Sequence, residues 1–285
     1  MIKHLNGIHE TVNFREDTNI CLYDNNEYEE YPTHWHTPIE IIMPVENSYS
    51  VKYREDATFL RENDILLICP GILHSIPAAH GRRYIFQAEI YSVLLIKELE
   101  SVLTILSPAI LITPENSPAI YDRMHEIVLE IVQEYKQAPA MCEASIYAKL
   151  TEMIVALGRI HTDSCVHFDV SHSKQKEYID KFMSICNYIS EHCTEDLNLD
   201  MVSGLSGFSK YHFTRLFKQF TNVSFYKYLN QKRIAKAEQL LIDPTMSVTD
   251  VSLSSGFSSL SAFIRMFKII KGCTPSEFRS MYDTP

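Results

Sequence analysis

The sequence predicts an α+β protein of two parts: an antiparallel β-barrel followed by helices, then an all-α domain built on two helix-turn-helix motifs. Three observations carry this prediction. A length of 285 residues suits about two ordinary domains. Charge is divided unevenly along the chain, and one segment repeats itself in the C-terminal third at an offset of about 50 residues.

A hydrophobic content of 46% with 22% charged residues is that of a globular chain, and 8 Gly with 12 Pro are too few for a fibrous or disordered one. The N-terminus, MIKHLNGIHE, has no apolar core of a signal peptide, and the greasiest stretch, Tyr91 to Thr113, is interrupted by Lys97, Glu98 and Glu100. A cytoplasmic protein with no membrane partner is therefore expected. Seven cysteines, an odd count with no C-x-x-C pair, suggest neither a disulfide framework nor a thiolate zinc site and read as reduced, mostly buried thiols.

Residues 1–173 hold 12 Lys and Arg against 25 Asp and Glu, a net of −13, whereas residues 174–285 hold 14 against 11, a net of +3. Within Gly207 to Arg279 the balance is 11 against 4, the local footprint that phosphate contacts require. A solvated helix face gives the same excess.

In chain order, Ile39 to Val45, Ser48 to Tyr53, Asp64 to Cys69 and Arg83 to Glu89 read as short strands between turn signals, the pattern of an antiparallel barrel or sandwich. The segment HWHTPIE places His34, His36 and Glu40 at one sequence parity, so an extended strand would point all three to one side. CPGILH then supplies a Pro70-Gly71 turn and His74 as a fourth candidate ligand. These segments resemble the two motifs of the cupin fold, H-x-H-x-x-x-E and P-x-x-x-H, with Asn47 and Asn63 where the fold usually has turn glycines. The resemblance covers about Asn13 to Glu89.

Three imidazoles and a carboxylate suit a divalent first-row metal, which opens the alternative of a metal-binding cupin enzyme or metal sensor fused to a DNA-binding domain. The other reading makes His34, His36, Glu40 and His74 effector-binding groups, hydrogen-bonded to a small ligand or to one another with no metal and no catalysis. Trp35 has the opposite parity and is expected outside the pocket. Tyr23, Tyr31 and Tyr49 could stack on a sugar or simply fill the core.

Two helices follow the strands. Ser117 caps and Pro118 opens the first, with its stripe at Ile120, Met124, Ile127, Val128, Ile131 and Tyr135. The second carries Ile146, Leu150, Met153, Leu157 and Ile160, a 4-3-4-3 seam suited either to a homodimer or to covering the barrel. His161 to Lys174 lacks periodicity and reads as a linker, after which Ile179, Phe182, Cys186 and Ile189 open the last domain.

The repeat aligns GFSKYHFTRLFKQF from Gly207 with GFSSLSAFIRMFKII from Gly256, with one extra residue after the serine of the second copy. Each copy has a short helix, Leu199 to Leu205 or Val248 to Leu253, then a turn glycine, a capping serine and an apolar stripe. The stripes are Phe213, Leu216 and Phe217, and Phe263, Met266 and Phe267. Helix, tight turn, helix, twice, is a duplicated helix-turn-helix. Anchoring the second helix by its stripe leaves the opposite face for a major groove: Tyr211, Thr214, Arg215 and Lys218 with Lys210 at its start, and Leu260, Ser261, Ile264, Arg265 and Lys268. Arginine can bond bidentately to guanine, whereas Lys218 and Lys268 suit phosphates. Ser224 to Leu241 reads as a helical rod between the copies, long enough to hold two reading heads about 34 Å apart.

The stretch from about Gln175 to Arg279 resembles the DNA-binding domain of the AraC/XylS family of transcription regulators, with GFSSLSAFIRMFKIIKGCTPSEFR as its signature. The resemblance implies a seven-helix domain and places Tyr211, Thr214 and Arg215, and Leu260, Ser261 and Arg265, at base-facing positions. It departs at Asn222, which stands where the second copy has Gly272, and at the apolar Leu260 and Ile264. The expected domains are residues 1–113, a cupin-like effector-binding domain; 114–160, a helical dimerisation or packing segment; 161–174, a linker; and 175–285, the DNA-binding domain. The expected partners are double-stranded DNA, a small-molecule effector such as a carbohydrate, a second copy of the chain, and RNA polymerase if the protein is an activator.

Overall fold

The computed structural model describes residues 5–53, 57–90, 93, 97–161, 172–221 and 223–280. The chain divides into two compact units, Met1–Arg159 and Ile160–Pro285. Residues 162–171 of the expected linker, and Asn222, lie outside the described residues.

Unit 1 contains strands β1 (Leu5–Asn6), β2 (His9–Glu10), β3 (Ile20–Asn25), β4 (Tyr31–His34), β5 (Ile39–Pro44), β6 (Tyr49–Lys52), β7 (Ala57–Leu60), β8 (Ile65–Ile68), β9 (His74–Ile76), β10 (Arg83–Ala88) and β11 (Ala109–Ile112). Helix α1 (Lys97–Leu106) precedes β11; α2 (Tyr121–Gln137) and α3 (Cys142–Ile160) follow it. The strands form two larger sheets, in the orders β11-β8-β5-β10-β3 and β4-β9-β6-β7, all antiparallel, beside the β1-β2 hairpin. Among the described residues the strands form two open sheets rather than a closed barrel, with β3 and β11 at the edges of one and β4 and β7 at the edges of the other.

Every residue of β5, β8 and β10 is buried, so both faces of their sheet are covered and the strands read as continuous apolar runs. Between the sheets lies an apolar core that includes Tyr31, Ile42, Tyr49, Val51, Leu66, Ile68 and Ile85. The Tyr147 hydroxyl of α3 donates to the Glu89 carbonyl at 2.5 Å, and Lys136 of α2 reaches Asp24 of β3, so both helices hold to the five-stranded sheet.

Two expectations about the helices change. Ser117 is not a cap: its backbone carbonyl takes the amides of Ile120 and Tyr121, and α2 starts after Ile120 without a side-chain cap. Ile146, Leu150, Met153 and Leu157 are at most 4% exposed in the single chain, with Ile160 half-buried, which fits the covering reading of this stripe.

Unit 2 is built from α4 (His172–His192), α5 (Leu199–Ser206), α6 (Lys210–Thr221), α7 (Phe225–Leu241), α8 (Val248–Ser254), α9 (Leu260–Lys271) and α10 (Pro275–Ser280). Each start has a local cause: Asn198, Ser224, Ser247 and Ser259 accept a backbone amide three residues on, and Thr274 with Glu277 forms a reciprocal capping box. The core is aromatic. Phe182 of α4 stacks among Phe208, Phe213, Phe217 and Phe220 of the first copy. The far end of α4 meets the second copy, where Gly256, at φ +87°, faces the Thr194 and Cys193 backbone so closely that an added Cβ would lie 2.7 to 2.9 Å from it. Arg233 of α7 donates to the Cys193 and Glu195 carbonyls, closing the end of α4.

Candidate functional site

The two helix-turn-helix units differ in one detail of register. Gly207 and Gly256 both turn in the left-handed region, at φ +72° and +87°. In the first copy Ser209 accepts the His212 amide; in the second the cap is Ser259, not Ser258, so the extra residue is absorbed in the turn before α9. With caps aligned, Lys210, Tyr211, Thr214, Arg215 and Lys218 correspond to Leu260, Ser261, Ile264, Arg265 and Lys268.

The buried stripes anchor as expected: Phe213, Leu216, Phe217 and Phe220 in α6, Phe263 and Phe267 in α9, with Met266 half-buried. All ten aligned positions of the opposite faces are exposed, Tyr211 to 83% and Leu260 to 37%. Arg215, Lys218, Arg265 and Lys268 form no ion pair or hydrogen bond among the described residues, which leaves their donors for another molecule. Lys210 is instead paired with Asp200, and the Thr214 hydroxyl donates to the Lys210 carbonyl. Lys271, Arg233 and Arg279 are also spent internally, on Glu238 and on the carbonyls of Cys193, Glu195 and Leu241. The basic excess of the sequence therefore overstates what can reach phosphates.

In unit 1, His34, His36, Glu40 and His74 converge, by a route the parity argument did not foresee. His34 ends β4 in one sheet, Glu40 lies in β5 of the other, and His36 sits in the crossing between them. His34 pairs directly with His74 across β4 and β9, their rings 4.2 Å apart. Each histidine directs Nδ1 to a backbone carbonyl: His34 to Pro32 at 2.7 Å, His36 to Pro38 at 3.0 Å and His74 to Ile72 at 2.9 Å. A carbonyl can only accept, so Nδ1 carries a proton, and Nε2, turned inward, is the atom that can either take a proton beside Glu40 or offer its lone pair to a ligand. The three imidazoles offer ligand atoms within 4.8 Å of one another. Glu40 adds its carboxylate, with Oε1 3.7 Å from His36 Nε2 and Oε2 3.1 Å from His74 Nε2.

The structure adds two residues to this cluster. Glu10 of β2 lies 3.4 Å from His34 Nε2, and Gln87 of β10 donates to Glu40 Oε1 at 3.1 Å and approaches Glu10 Oε2 at 3.5 Å. Gln87 had a sequence signal, as a polar residue inside the run Tyr84 to Ala88 at the parity of Ile85; Glu10, on a two-residue strand, had none. Trp35 is fully buried, its ring tilted against His9 with centres 4.4 Å apart, and is hydrogen-bonded through its backbone to Ile8 and Glu10.

The electrostatics follow from burial. Desolvation pushes His34 down to about 4, helped by the charge of His74, and raises Glu10. Burial opposes ionisation of Glu40 as well, but the charge of His74 and the close approach of the His36 and His74 rings outweigh it and hold the carboxyl well below the usual range. At His36, burial opposes the charged form and the nearby Glu40 carboxylate outweighs it, so its value is raised. His36 Nε2, His74 Nε2 and Glu40 Oε2 are buried without a hydrogen-bond partner among the described residues. A donor set of this kind, with Nδ1 fixed by carbonyls, fits a divalent first-row metal.

Residues 203–281 match a family model described as a helix-turn-helix domain. The chain is 36% identical over 85 residues to the probable transcription factor PqrA of Proteus vulgaris, covering 30% of this chain and 70% of that protein. It is 37% identical over 100 residues to an uncharacterized HTH-type transcriptional regulator of Staphylococcus aureus (strain COL), and spans only 13% of that protein's length. In fold, 95% of the chain matches all of ToxT from Vibrio cholerae O395, with a TM-score of 0.51 at 12% identity. ToxT bound to (E)-4-(8-methylnaphthalen-1-yl)but-3-enoic acid matches over 92% of this chain and 98% of that one, with a TM-score of 0.50 at 14% identity. The duplicated helix-turn-helix, its exposed basic faces and the match to most of PqrA lead to one conclusion: this chain belongs to the AraC/XylS family of DNA-binding transcriptional regulators.

Proposed function

We propose that the protein reads two adjacent half-sites of double-stranded DNA with α6 and α9 and that unit 1 is an effector-binding domain whose small-molecule ligand modulates that binding. The observation that carries the reading is a pairing of opposites: unit 2 exposes its polar donors, whereas unit 1 buries a polar cluster it does not fully satisfy. In this reading Tyr211, Thr214, Arg215, Leu260, Ser261 and Arg265 face bases, Lys218 and Lys268 face phosphates, and Lys210 reaches a phosphate only by exchanging Asp200 for it. A ligand that binds one arrangement of the protein more tightly than another shifts the population presented to DNA. The small organic acid bound to ToxT supports a sensing role for this fold. The domains are assigned as residues 1–113 for the effector, 114–160 for helical packing and 175–285 for DNA, in a cytoplasmic protein that meets RNA polymerase if it activates. No helix among the described residues is long and apolar enough to cross a membrane.

The inward Nε2 atoms favour a second, compatible reading in which His34, His36, Glu40 and His74 hold a divalent metal that supplies a Lewis-acidic point for binding. The role is sensing, not catalysis. A homodimer through this segment would use exposed positions of α2 and α3 such as Leu129, which is 43% exposed.

The test is a thermal-shift screen of small metabolites on the full chain, with each hit measured for its effect on affinity for promoter fragments. Ligands that raise the melting temperature and change DNA affinity are expected. A chain that shows no preference among promoter fragments over random DNA, with or without such ligands, refutes the proposal.

A further inference from the structure

Arg83, on the inner face of β10, is fully buried, and all three of its guanidinium nitrogens lack a hydrogen-bond partner among the described residues. It shares its face with Ile85, a member of the core between the sheets, and with Gln87 of the histidine cluster. Its guanidinium carbon sits 4.5 Å from the ring centre of Tyr49 and 5.5 Å from that of Tyr31. Arginine does not deprotonate in proteins, so burial cannot neutralise it, and a buried charge without a counter-ion carries a large desolvation penalty. Cation-π contacts offset only part of that.

The neighbouring groups do not close the account. The Tyr31 hydroxyl interacts with the guanidinium, but it is neutral and already accepts from Asn25 Nδ2 at 2.6 Å. The Tyr49 hydroxyl is committed to the Gly81 carbonyl at 2.6 Å. Glu29, in the segment between β3 and β4, feels the charge of Arg83 without a hydrogen bond to it. Arg83 pairs in register with Asn25 and Pro44 at the end of its sheet, where residues 26–30 and 77–82 are joined by an exposed Tyr28–His80 stack at 4.4 Å.

We propose that Arg83, flanked by Tyr31 and Tyr49, is an anion-anchoring site for a small carboxylate-bearing molecule in unit 1. A guanidinium fork matches a planar carboxylate with two parallel hydrogen bonds, and the two tyrosine rings suit an apolar or aromatic body attached to it. The inference rests on unit 1 being the effector domain and names the chemical class of the effector.

The full chain is followed by thermal melting with acetate and benzoate, and with acetamide and benzamide as neutral matches, in wild type, Arg83→Met and Arg83→Lys. Carboxylates are expected to raise the wild-type melting temperature and amides to leave it unchanged. Arg83→Met, which removes an unbalanced charge while keeping much of the volume, is expected to melt about 2 to 4 °C above the ligand-free wild type and to lose the carboxylate response. Arg83→Lys keeps the charge without the fork and is expected to respond more weakly than wild type. A Met variant that melts lower or does not fold, or a wild type that no carboxylate stabilises, overturns the proposal. Uncharged compounds that change promoter affinity equally in wild type and Arg83→Met overturn the Arg83 site alone and leave the effector domain standing; a carboxylate response with no effect of any ligand on DNA affinity leaves the site and removes the effector role.

Discussion

His74 Nε2 lies 3.1 Å from Glu40 Oε2, and that contact joins the two sheets of unit 1, since His74 belongs to β9 and Glu40 to β5.

Metal occupancy is the first consequence. Full-length protein incubated with zinc, manganese or iron and then desalted is expected to retain about one equivalent by elemental analysis. His36→Ala should abolish retention, and Gln87→Leu should weaken it about 10- to 100-fold, because Gln87 steadies Glu40 without being a ligand. Retention should fall as acid protonates the imidazoles. Equal retention in wild type and His36→Ala would show that the metal sits elsewhere.

The reading heads separate by salt dependence. Arg215→Ala is expected to cost about 1 to 3 kcal/mol of discrimination at one half-site, while Lys218→Ala weakens all sequences and reduces the logarithmic salt slope by about 0.9. Titrations of specific and random duplex at several salt concentrations measure both. Identical profiles for the two variants would contradict the division between base and phosphate contacts.

The two turn glycines, equivalent in the repeat, should not be equivalent in stability. A Cβ at Gly207 meets nothing within 4 Å, so Gly207→Ala is expected to cost about 1 kcal/mol, from its positive φ alone. A Cβ at Gly256 collides with the Thr194 and Cys193 backbone, and Gly256→Ala should cost more, about 2 to 4 kcal/mol. Denaturant unfolding of the two variants compares them; a smaller loss at Gly256 would be the contrary result.

Asp24 gives a pH dependence. Hydrogen bonds from Arg82 and Lys136 hold its carboxyl down to about 2 against an ordinary value of 3.8, despite some opposing burial. A depressed folded-state value means the stabilisation is present above about pH 4 and is lost as pH falls towards 2. Because the pair is partly exposed, its contribution is about 0.5 to 1 kcal/mol, and Asp24→Asn should lower the melting temperature at pH 7 and leave it nearly unchanged at pH 2. An equal effect at both pH values would mean that charge is not the cause.

The legibility of this chain follows the range of its interactions. Unit 2 was readable because its determinants are local: Ser247 and Asp250 cap α8 within one turn, and Phe213 and Phe217 mark a buried stripe at helical spacing. The strands at Ile39, Asp64 and Arg83 were legible as apolar runs, while β1, β2, β4 and β9, each of two to four residues, left too little pattern to see. His34, His36, Glu40 and His74 were picked out by residue type and spacing, yet the geometric reason offered for them was wrong, because the chain changes sheets between His34 and Glu40. Glu10 reaches the cluster from 24 residues before His34, and nothing local records that approach. Arg83 looked like the polar start of a strand; its isolation is a property of what surrounds it in space.

The brace that α4 provides has a further effect. Its middle is wedged among the phenylalanines of the first copy and its end is seated on Gly256 of the second, so α7 is not the lone spacer between the heads. A hinge with one strut can twist; one triangulated by two cannot. Each base pair inserted between half-sites rotates one of them by about a tenth of a helical turn, and a triangulated clamp has no freedom to follow it. If α6 and α9 read two half-sites as proposed, inserting base pairs between those half-sites is expected to weaken binding.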